Sequence, residues 1–144
     1  MEYLKQIVDY GIIGILILLS IISVAIAIER IGYYRKVDVL KFSNVKELET
    51  DLTRGLHIIA TIGANAPYIG LLGTVLGIML TFYTIGQEGL VDSKKVMVGL
   101  ALALKATAMG LLVAIPSIFL YNFLLRKVKE KITFWEIKNG RKRI

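Results

Sequence analysis

The run V-M-V-G-L-A-L-A-L-K-A-T-A-M-G-L-L-V-A-I-P-S-I-F-L-Y-N-F-L-L, Val96–Leu125, decides the fold of this chain. As a helix it would be ~45 Å long, well beyond the ~30 Å of a bilayer's hydrocarbon, so it must tilt, protrude or line a cavity. Its single charge is Lys105. A cation at that depth costs at least ~2.5–3.5 kcal/mol on insertion scales, so it belongs against a bundle interior, a partner or a watery path. A helix serving only as an anchor has no use for it, whereas ion-coupled machinery does.

Two further apolar stretches, Tyr10–Ile28 and Ile58–Ile85, are each long enough to span. The reading is an all-α polytopic membrane protein, a single domain over residues 1–144, with spans at roughly 10–29, 62–85 and 97–124. The connector 30–57 holds Arg30, Arg35, Lys36, Lys41, Lys46 and Arg54, and the tail 126–144 is rich in lysine and arginine. The N-terminal stub holds only Lys5, and the second connector, Gly86–Lys95, only Lys94 and Lys95. By the positive-inside rule the connector and tail are cytoplasmic, giving an N-out, C-in topology. The net charge of +7 is thus a topology signal, with attraction to anionic lipid second, and not a nucleic-acid footprint.

Ala25-Ile26-Ala27 mimics a signal-peptidase site, but Glu2 and Asp9 against Lys5 leave no basic n-region. The apolar run is also longer than an h-region, so the first span reads as retained, with Tyr33 and Tyr34 in the headgroup belt.

In the first connector Asn44 predicts a helix N-cap with Glu47 as the reciprocal partner of a capping box. Val45, Leu48, Leu52 and Leu56 follow at helical spacing. The preferred reading is a surface amphipathic helix; the alternative is an extension that packs on neighbouring subunits. His57, the one histidine, has no clustered ligand residues, so no metal site is expected.

The second span carries Pro67, a predicted kink, and then Gly70, Gly73 and Gly77, the last two framing Thr74 in a G-x-x-x-G. The third repeats the device with Gly99, Ala103, Ala106, Thr107, Gly110 and Ala114, and carries a second predicted kink at Pro116. Small residues one turn apart let helix backbones approach closely, so both stripes predict tight packing. Val128, Ile132 and Trp135 continue a helical face beyond the span, so the third helix is expected to run on past the membrane.

Enzyme chemistry is missing. The spans hold no Ser/His/Asp set, no paired carboxylates and no metal-ligand cluster, and no phosphate-binding loop occurs. No cofactor is implied. A single intramembrane threonine is most simply helix glue, but Thr74 and Thr107, each inside a small-residue stripe, suggest a shared polar seam. Lys105 lies ten residues from Lys95, ~15 Å of helix, which is far to snorkel, and no apolar core holds an acid for it. What remains is a carboxylate on another chain or a hydrated pore.

At these residues the chain resembles a known family. Ala60–Phe82, A-T-I-G-A-N-A-P-Y-I-G-L-L-G-T-V-L-G-I-M-L-T-F, resembles the second transmembrane helix of the ExbB/TolQ proton-channel family, and Gly99–Asn122 resembles its third. Glu29-Arg30 at the end of the first span also fits. MotA-type flagellar stators fit less well. The resemblance implies a homo-pentamer in the bacterial inner membrane, with the second and third helices lining a pore. It further implies an ExbD/TolR-like single-span partner bearing an intramembrane aspartate, and a TonB-like protein that receives the energy of proton flow. The family's pore-facing threonines carry over to Thr74 and Thr107.

Two departures stand out. Many members have a glutamate where this chain has Leu102, while Lys105 lies one turn further on, facing roughly the same way and beside Thr107 on the expected pore face. The connector is also far shorter than in the best-known members. The leading expectation is an ExbB-like energiser. A TolQ-like envelope role, a flagellar-stator role and a non-conducting scaffold are the competitors.

Overall fold

The computed structural model describes residues 2–89 and 92–142. Leu90 and Val91 of the second connector and Arg143 of the tail lie outside the described residues. Four helices follow in order: α1 (Glu2–Lys36), α2 (Val45–Leu52), α3 (Leu56–Glu88) and α4 (Ser93–Lys142), with a single 3-10 turn at Val39–Lys41 between α1 and α2. Three of them, α1, α3 and α4, are long and apolar enough to cross a membrane. α4 alone, at 50 residues, is about 75 Å long.

Local sequence explains the breaks. Asp38 caps the 3-10 turn by accepting from the Leu40 amide at 3.1 Å. Asn44 caps α2 by accepting from the Lys46 amide at 2.8 Å, but no Glu47 bond back to Asn44 occurs among the described residues, so half of the expected capping box forms. The turns into and out of α3 both need a left-handed residue, supplied by Gly55 (φ 83°) and Gly89 (φ 73°). Pro67 and Pro116 both lie inside unbroken helices.

α3 and α4 form an antiparallel hairpin, and α1 lies across both. Along the middle of the bundle Ile12 and Leu16 of α1 meet Ile62 and Ala66 of α3 and Ala106 and Val113 of α4. At the end carrying the first connector a second core gathers Tyr34, Leu48, Leu52, Ile59, Leu124 and Trp135. α2 is therefore anchored by Leu48 and Leu52, both fully buried, within its own chain. No more than 33% of any span's apolar window is buried within the protomer, which leaves most of that surface for lipid or other chains.

Candidate functional site

The α3–α4 seam is built from residues too small to hold the backbones apart. A Cβ added to Gly70 would lie 2.5 Å from the Ala106 carbonyl oxygen, and one added to Gly110 would lie 2.6 Å from that of Ala66. Gly73 meets the Ala106 methyl, Gly77 that of Ala103, and Gly99 the side chain of Thr81. Ala114 is buried on the same side of α4. This approach brings main-chain dipoles of two helices into contact, and in lipid such packing supplies association that no hydrophobic effect can.

Two hydroxyls meet in the seam. Thr74 Oγ1 contacts the Ala103 carbonyl at 2.8 Å and its own Gly70 carbonyl at 3.4 Å. It also pairs with Thr107 Oγ1 in a short hydrogen bond. Thr74 is 6% exposed and Thr107 half-buried. A threonine has one proton to donate and can accept from others. Thr74 thus orients the hydroxyl of Thr107, and Thr107 is the member of the pair open to whatever lies outside the protomer.

Lys105 is exposed and has no hydrogen-bond or ion-pair partner among the described residues. Its neighbours Ala103 and Ala106 turn inward, while Leu102 is 45% exposed. The expectation that Lys105 stands beside Thr107 on one face is corrected. Two residues apart, their side chains diverge by about 200° around the helix, so Thr107 joins the seam and Lys105 points away from it.

Other contacts had only weak signals in the sequence. Ser23 of α1 and Ser117 of α4 are both buried, with their hydroxyls 2.9 Å apart, and Ser117 also bonds the Val113 carbonyl at 2.9 Å. Lys5 Nζ donates to Thr81 Oγ1 at 3.2 Å, tying the start of α1 to the far end of the seam. Arg30, 4% exposed, forks onto Glu29 at 2.6 and 2.7 Å and donates to the Asp51 carbonyl at 2.9 Å. Its guanidinium stacks 4.5 Å over the Tyr33 ring, while Tyr34 donates to the Leu52 carbonyl at 2.5 Å. Together Arg30 and Tyr34 satisfy carbonyls at the end of α2. Trp135 Nε1 donates to the Phe42 carbonyl at 2.9 Å, fastening α4 to the connector. Among the described residues no group of His, Cys, Asp or Glu could hold a metal ion.

The model of the MotA/TolQ/ExbB proton channel family matches residues 38–137, which take in α2, α3 and most of α4. The chain belongs to that family. It is 57% identical over 140 residues to the biopolymer transport protein ExbB of Aquifex aeolicus, covering 97% of this chain and 95% of that protein. It is 55% identical over 134 residues to a putative biopolymer transport protein ExbB-like 2 of Helicobacter pylori, covering 93% and 89%. With the ExbB of Pseudomonas putida it shares 42% identity over 78 residues, 54% of this chain but 24% of the other. The chain is therefore an ExbB-like member of the family, and it spans most of the length of these Aquifex and Helicobacter relatives.

Proposed function

We propose that this chain is the ExbB-type subunit of an inner-membrane proton channel that energises TonB-dependent transport across the outer membrane. Five copies would surround the intramembrane aspartate helices of an ExbD/TolR-like partner. The observation that carries this reading is the Thr74–Thr107 pair, held in a glycine- and alanine-lined seam of a chain of this family. Thr107, whose proton is taken by Thr74, would offer its oxygen lone pair to the protonated form of the partner's aspartate. Lys105 lies on the other side of α4, exposed and with no partner among the described residues, and would favour the charged form of a carboxylate presented there by another chain, since a nearby cation lowers a carboxylate's pKa.

Lys105→Met in cells dependent on this system tests the role. Uptake and partner-dependent proton flux in vesicles should fall at least about tenfold, while the chain accumulates normally. Unchanged uptake and unchanged partner co-purification would remove Lys105 from the mechanism. Envelope leakage without uptake failure on loss of the chain would favour a TolQ-like role, and absence of flux with the partner present would favour a passive scaffold.

A further inference from the structure

The side of α3 turned away from the seam changes character half-way along. Thr61, Asn65 and Tyr68, spaced four and three residues apart, form one exposed stripe in the half nearer the first connector. The same stripe continues as Leu72, Val75 and Met79, all exposed and all apolar. Towards the connector it runs out through His57 and Arg54, also exposed.

The polar half is not explained by bonds within the helix. Thr61 Oγ1 donates to the His57 carbonyl at 2.7 Å and Asn65 Nδ2 to the Thr61 carbonyl at 2.8 Å. The Asn65 amide keeps a second N–H and a carbonyl oxygen with no partner among the described residues. Facing hydrocarbon, these remaining polar groups would carry a desolvation cost that nothing in the protomer offsets. Asn65 stands nine residues beyond Leu56, about 13 Å along the helix, too far for so short a side chain to reach headgroups. Such a residue faces water or another polar surface. A polar stripe that opens at an aqueous end and stops at Leu72 has the form of a half-channel closed by a dry section, and apolar constrictions gate by excluding water.

We infer that Thr61, Asn65 and Tyr68 line the water-filled cytoplasmic half of the ion path, with His57 at its rim and Leu72, Val75 and Met79 forming the dry half. The inference rests on the proton-channel reading above.

The chain has no cysteine, so single cysteines report without background. Thr61→Cys, Asn65→Cys and Tyr68→Cys, assembled with the partner in inverted membrane vesicles, should react with a membrane-impermeant methanethiosulfonate at least about tenfold faster than Leu72→Cys, Val75→Cys and Met79→Cys. Equal rates at all six positions would overturn the inference, as they would if the stripe were sealed against a neighbouring subunit. Asn65→Leu should lower proton flux at least about fivefold at unchanged assembled mass, and Asn65→Gln should restore it. Flux indifferent to Asn65→Leu would overturn it as well. Absence of flux in the unsubstituted assembly would instead overturn the channel reading itself. That result is distinct from equal labelling beside intact flux, which removes only the stripe.

Discussion

Gly70 and Gly110 pack face to face: a Cβ built on either would stand 3.0 Å from the Cα of the other. No side-chain rotation can relieve such a contact, because the opposing atoms are main chain. Gly70→Ala or Gly110→Ala should therefore force α3 and α4 apart and destabilise the protomer by about 1–3 kcal/mol, the usual cost of overpacking. Gly14→Ala on α1, where nothing lies within 4 Å of the added carbon, should be neutral or mildly stabilising. Thermal unfolding in detergent, run on the three variants side by side, measures the contrast.

Thr74→Val and Thr107→Val keep shape and remove the hydroxyls. Each should cost about 0.6–2 kcal/mol, the range for interhelical hydrogen bonds in membranes. Since they share one bond, the double variant should cost less than the two singles added. Strict additivity in a double-mutant cycle would mean that the pair is not coupled.

Arg30 is nearly fully buried, and while it forks onto Glu29 its remaining amino group donates to an α2 carbonyl. Arg30→Met should leave the Asp51 carbonyl without its charged donor and loosen α2 by about 1–3 kcal/mol. The connector carries Lys36, Lys41 and Lys46, so trypsin should cut it several-fold faster in the variant, by the local opening that proteolysis reads. An unchanged cleavage rate would show that Leu48 and Leu52 hold α2 unaided.

Trp135 is the only tryptophan and is 8% exposed. Its emission should be blue-shifted in the native protein and move to the red in Leu48→Ala, which opens a cavity in the core that both residues share. Trp135→Phe removes the five-membered ring together with the N–H that bonds Phe42, and should cost at least about 1 kcal/mol.

The three long helices could be read directly from hydropathy, because about twenty consecutive apolar residues leave a chain few other options. The start of α2 was equally legible, since Asn44 and the Leu48–Leu52 spacing are local signals. What α2 packs against was not, because its partners Tyr34 and Trp135 lie far away in sequence. The small-residue stripes announced close helix contact but not its register. That Gly70 meets Gly110, or Ser23 meets Ser117, depends on how the hairpin turn sets α3 against α4 and how α1 crosses them. Thr74 and Thr107 were visible as a pair for the same local reason as the glycines around them. Lys105 stands two residues from Thr107, where the helical repeat places side chains on nearly opposite sides, so nearness in sequence does not put the two on one face.

The unbroken length of α4 also has a mechanical consequence. A helix of about 75 Å that tilts by about 5° about one end carries the other end through about 6 Å, roughly one helical turn. The Trp135–Phe42 bond lies near that travelling end, and a displacement of that size is twice the length of the bond. A reorientation of α4 in the bilayer must therefore either drag Phe42 and the connector with it or break that bond. The lone tryptophan sits where the lever's stroke is greatest.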